Sequence, residues 1–245
     1  MTRNRSPLRY LPAQAIDVVS GPLLFFVTVA ALICLVYWRL AQKSADPLGD
    51  PTMVVQTAVG MLLTFAVLIA AGSVAGTDVA SGFYRAWFSK PMAPWWFYLQ
   101  RWLLGGVAVL TIPYLLGGGL HLLFGKGTGV TAELIGVVAL GYLLIGGTLL
   151  LASVFSARDW LVTFLLTFLQ ARLHDVLTML KRSGGEPPRL LELVDRVLPP
   201  YHLISPMRGM PEGGDLWHVL AYGTALVAVA LVLFVVRPLG SGGRA

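Results

Sequence analysis

Residues 132–154 read AELIGVVALGYLLIGGTLLLASV, with one charge, Glu133, at the head and none after it. A helix rises about 1.5 Å per residue, so roughly 20 apolar residues cross the hydrocarbon core of a bilayer. This run is long enough to do so as a single helix. Working outward, apolar runs of similar length occupy 21–40, 53–74, 98–122 and 216–236. A sixth, 160–180, opens with LVTFLLTFL and then meets Gln170, Arg172, His174 and Asp175. Its polar half must face protein or water, because charge placed in lipid is costly.

The composition agrees. The chain has 245 residues, 56% of them hydrophobic and 12% charged, about half the charged fraction of a soluble domain. The expected fold is therefore all-α: one polytopic transmembrane domain over 1–245, with six spans. The first run is too long for the core of a cleaved signal, and no A-x-A site follows it, so it reads as a retained anchor. Trp38, Trp95, Trp96, Trp102, Trp160 and Trp217 lie near proposed span ends, as an interfacial aromatic belt requires. Arg3, Arg5 and Arg9 in the N-terminal arm (1–20), Arg85 and Lys90 in the second loop, Arg158, and Arg237 with Arg244 all fall on one side of a six-span chain. Lys43 and Lys126 fall on the other. This asymmetry predicts a multi-pass protein of the cell (inner) membrane with both termini cytoplasmic. The fifth loop, 181–215, is then extracytoplasmic. Its balanced charge gives no vote of its own, and a five-span arrangement would put it inside. The net charge of +6 suits loops at an anionic leaflet and shows no basic run for nucleic acid.

Two loops are more than connectors. In the second, 76–97, Gly76-Thr77-Asp78 reads as a helix exit followed by a new N-cap, with a short helix over 79–88 stopped at Lys90-Pro91. An interfacial anchor is the plain reading of such a helix. In the fifth loop, Leu190, Leu191, Leu193, Val194, Val197 and Leu198 recur on one helical face, with Glu192, Asp195 and Arg196 on the other. That amphipathic helix suits a membrane surface or a partner groove. Seated in the outer interface, it should be weakened by Leu191→Asp or Val194→Asp and be nearly indifferent to Glu192→Lys. The Pro-broken YHLISPMRGM that follows suits a re-entrant turn, provided protein covers its backbone.

Catalytic chemistry is thin. No Walker A, GxSxG, HExxH or CxxC motif occurs, so no enzyme activity, ATP site or bound cofactor is expected of the chain itself. The lone Cys34 reads as a small apolar filler. His121, His174, His202 and His218 read as interfacial or packing residues, and no metal site is expected. Arg172, His174 and Asp175 form either a structural hydrogen-bonded cluster or part of a translocation path. Gly72 with Gly76, and Gly136, Gly141, Gly146 and Gly147 along the fourth span, read as close helix contacts. Gly117-Gly118-Gly119 is expected to loosen the third span.

The second loop also carries a family likeness. GTDVASGFYRAWFSKPMAPWWFYLQRWL, from Gly76, between the second and third of six spans resembles an ABC-2 type transporter permease, with Asp78, Gly82, Arg85, Ser89, Lys90 and Pro91 in the matching layout. LPPYHLISPMRG ahead of the last span agrees. A glutamate frequent in the family near the second span's exit is replaced by Asp78. The resemblance implies a cytoplasmic coupling helix bearing Asp78, Phe83, Arg85, Trp87 and Lys90. It also implies a separate ABC ATPase subunit that binds the ATP, and a second permease copy, identical or paralogous, around a central path. The fifth-loop helix resembles the family's outer-leaflet re-entrant helices. The apolar span faces favour export of a hydrophobic or lipid-like substrate. The alternative is a non-transporting membrane subunit that scaffolds a larger complex. A secondary transporter would show inverted repeats and broken midplane helices, and no internal repeat is evident.

Overall fold

A computed structural model describes residues 11–41, 51–72, 93–125, 127–184, 186–206 and 208–236. Helices account for nearly all of it, and the only β pairing among these residues is the isolated Ser205–Gly209 bridge. The order is α1 (Leu11–Ala41), α2 (Pro51–Ala71), α3 (Pro94–Leu110), α4 (Ile112–Phe124) and α5 (Ala132–Gly141). A π-helical turn (Tyr142–Gly146), α6 (Gly147–Phe155), α7 (Asp159–Arg182), α8 (Arg189–Val197), a 3-10 turn (Tyr201–Leu203) and α9 (Gly213–Val236) complete it. The chain is an all-α polytopic protein. Six stretches are long and apolar enough to span a membrane: Ser20–Leu40, Thr52–Ala71, Trp95–Phe124, Ala132–Phe155, Asp159–Arg182 and Gly213–Val236. The fifth is a complete 24-residue helix despite its polar half. The expected coupling loop, with Asp78, Phe83, Arg85, Trp87 and Lys90, lies outside the described residues.

The fourth span is the axis of the bundle: 72% of its apolar window is buried inside the chain, against 17% for the first and fifth. Its glycines explain how neighbours come so close. A Cβ at Gly147 would lie 3.2 Å from the Gly223 carbonyl oxygen of α9, and one at Gly223 would lie 2.8 Å from Leu143. α6 and α9 are accordingly the most intimately packed pair of helices. Small residues do this in lipid because dispersion, rather than water exclusion, must hold the helices together. The π-helical turn shifts the register of the fourth span and presents Tyr142 to α3. There its ring sits 5.0 Å from that of Trp102, and its hydroxyl donates to the Trp102 carbonyl oxygen.

Two expectations change. Trp102 is buried against Tyr142, so it is packing rather than belt, whereas Trp160 and Trp217 stand exposed at helix starts. The glycine triplet does not loosen the third span, because α4 runs unbroken through it. Gly117 lies against Thr128 and Val130, and Gly119 against the Cys34 sulfur. The third span is interrupted earlier, at Thr111, one residue after α3 ends and two before Pro113, whose ring cannot donate a backbone hydrogen bond.

Candidate functional site

The fifth span carries a polar seam. Thr163, Thr167, Gln170, His174, Leu177 and Lys181 follow one another at steps of four and three, so they share one face of α7. Thr163, Gln170 and Leu177 are buried. What covers the seam is the chain's own continuation. After Arg182 the backbone reverses, and α8 runs back antiparallel along α7. Three contacts fix the register: Lys181 Nζ to Glu192 Oε1 at 2.9 Å, His174 Nδ1 to Asp195 Oδ2 at 3.2 Å, and Gln170 Nε2 to His202 Nδ1 at 2.6 Å.

The descent is deep. Tyr201 is buried, and its hydroxyl lies 2.6 Å from that of Thr148, which is about 24 Å along the fourth span from Ala132. The chain then climbs beside the same span. Pro206 faces Gly60, Ile204 faces Gly141, and the Met210 sulfur faces Gly136. At the top the Met210 N–H donates to Glu133 Oε1 at 2.9 Å. Gly209 makes that last turn with φ +81°, and a Cβ there would strike the Glu133 carboxylate. Tyr201 and Pro206 are buried against the bundle, while Arg208 and Met210 stay exposed.

α8 packs on α7 through its polar face. Its polar residues Glu192 and Asp195 face α7, while Leu190, Leu193 and Val197 point outward and are largely exposed. The helix is amphipathic in the inverted sense: polar towards protein, apolar towards the surroundings. Lys181 holds the Glu192 carboxyl below its ordinary range, through its hydrogen bond first and then its charge. Glu192→Lys would set two cations against each other here. Placed opposite Lys181, it should lower the thermal-unfolding midpoint of the purified protein, and Lys181→Glu added to it should restore the midpoint. An unchanged midpoint in the single variant would remove this contact from the account.

At the centre of the seam four side chains converge. The imidazoles of His174 and His202 stack face to face, with centroids 3.6 Å apart and planes 9° from parallel. Asp195 joins His174 to Gln170, with Oδ2 on His174 and Oδ1 3.4 Å from Gln170 Nε2. Gln170 is fully buried, and its Oε1 has no hydrogen-bond partner. Burial first, then the neighbouring His174, keep the His202 imidazole below its usual range, against the opposite pull of Asp195.

No family model, curated protein or solved structure matches this chain. What it does must be argued from its own residues. Of the three residues proposed for a path, only His174 joins the cluster. Arg172 and Asp175 lie on the opposite, exposed face of α7, in a stripe with Leu165, Phe168, Leu169, Val176 and Met179. Arg172 rests over the Phe168 ring at 5.3 Å. Sequence reading missed Gln170, Asp195 and His202 as partners of His174. The available sign was the seam's period together with the Pro-flanked helix that follows. A different feature lies across the bundle: an apolar cavity of about 190 Å³ between the first three spans, lined by residues such as Phe25, Phe26, Phe65, Ile69, Ile112 and Leu116.

Proposed function

We propose that this chain is the membrane-spanning subunit of an ABC-2 type ATP-driven transporter that pairs with a second permease copy and exports a hydrophobic or lipid-like substrate. One observation carries the pairing. Arg172 stands about 15 Å from the Arg182 end of its span and about 20 Å from the Asp159 end, and it is exposed on the single chain together with Asp175. A charge left in lipid at that depth costs about 2.5–3.5 kcal/mol on insertion scales, so this face of α7 calls for a protein or water neighbour. A second copy seated along α7, with a polar path between the two, meets that demand. Six spans with a re-entrant hairpin between the fifth and sixth are consistent with the family likeness of the second loop. The wholly apolar lining of the cavity between the first three spans favours a hydrophobic cargo over an ion. In this reading both termini and the coupling loop face the cytoplasm of the cell (inner) membrane, and ATP is bound by the partner ATPase.

The test has two arms. In a Cys34→Ala background, Leu169→Cys or Val176→Cys should form an intermolecular disulfide in oxidised membranes, while Val107→Cys, exposed on the third span, should not. Protein purified gently from its native membrane should carry an ABC ATPase subunit. Crosslinking without any ATPase would favour the scaffold subunit instead. Failure of both arms would overturn the proposal.

A further inference from the structure

The geometry points to a transition-metal site of the zinc class built from His174, Asp195 and His202, clamping the re-entrant helix onto the fifth span. One donor atom from each residue lies within 4.8 Å of the other two. Around tetrahedral zinc, with bonds near 2.0–2.2 Å, neighbouring donors sit about 3.4 Å apart, so closure draws the donors together and tilts the stacked rings until their lone pairs converge. The two imidazoles are stacked face to face, and the carboxylate already lies against His174. Two nitrogens and one oxygen suit zinc and its neighbours in the first transition row. Calcium and magnesium prefer all-oxygen shells.

A second observation points the same way. Gln170, fully buried and 2.6 Å from His202, leaves its amide oxygen without a hydrogen-bond donor. A buried, unpartnered lone pair is costly, and turning the amide would bring that oxygen to a cation held by the three residues. The site is also reachable, since the His174 and Asp195 side chains are 32% and 18% exposed. Hydrogen bonding alone, the rival account, leaves that oxygen unexplained.

The experiment uses the full chain, purified in detergent without a polyhistidine tag, at pH 7.5. Titration with Zn²⁺ against a chromogenic chelator should give one ion per chain. Each of His174→Ala, His202→Ala and Asp195→Asn should weaken binding at least tenfold, while His121→Ala with His218→Ala should not change it. Because a ligand variant may also loosen the hairpin, Co²⁺ is added to the wild-type protein. Visible d–d bands that Zn²⁺ then abolishes are expected. Absence of Co²⁺ bands together with no Zn²⁺ uptake, or uptake undiminished in the His174→Ala/His202→Ala double variant, would overturn the site. None of these outcomes depends on the transporter reading.

Discussion

Gly105→Val is expected to strip the protein of most of its folded yield, while Gly118→Val leaves it near wild type. Gly105 sits where the second and third spans cross. A Cβ there would lie 2.8 Å from the Ala70 carbonyl oxygen and 2.9 Å from the Tyr142 hydroxyl. The first obstacle is backbone within α2. The second is a side chain whose hydroxyl donates to Trp102 and whose ring lies against Gly106, so neither can yield. Overpacking typically costs about 1–3 kcal/mol, and this site belongs at the upper end or beyond. Gly118, on the same span, has no atom within 4 Å of its would-be Cβ, so valine there meets open space. The pair separates crowding from any general intolerance of valine in the third span. Monodisperse yield and thermal midpoint in detergent are the readouts. A Gly105→Val protein with the wild-type midpoint would mean that the α2–α3 crossing is looser than described.

The double change Phe83→Ala/Trp87→Ala is expected to abolish ATPase association while leaving insertion and pairing intact. Both residues belong to the second loop, and a spacing of four puts them on one face of a helix. In the proposed transporter that helix docks in a groove of the ATPase, where a few aromatic or arginine anchors dominate affinity. Losing two of them should release the partner and with it substrate-stimulated ATP hydrolysis. The rival reading, an anchor in the headgroup layer, predicts the reverse: ATPase retained and membrane stability lowered. A variant of normal abundance with a bound, active ATPase would end the coupling assignment and shift weight to the scaffold role.

Much of the architecture was legible because the bilayer imposes a one-dimensional rule. Residues 132–154 must span since an uninterrupted apolar run has no other stable solution in water or lipid. The glycines of the fourth span announced close approach, but not that Gly147 would meet Gly223 rather than a helix next in sequence. The third span is interrupted at Thr111 rather than loosened at Gly117-Gly118-Gly119. Glycine permits a bend without demanding one, whereas Pro113 removes a backbone donor outright.

The candidate site was legible only by halves. The sequence by itself determined that six helices cross the membrane, that Gln170 and His174 need polar company, and that 190–198 has two unlike faces. It could not say which face of α8 turns inward. Glu192 and Asp195 turn to α7, where Lys181 and His174 satisfy them, while Leu190, Leu193 and Val197 point outward. That choice rests on a chain reversal after Arg182 and on partners 11 to 32 residues distant, from Lys181–Glu192 to Gln170–His202. Only the tertiary structure brings His174 and His202 face to face.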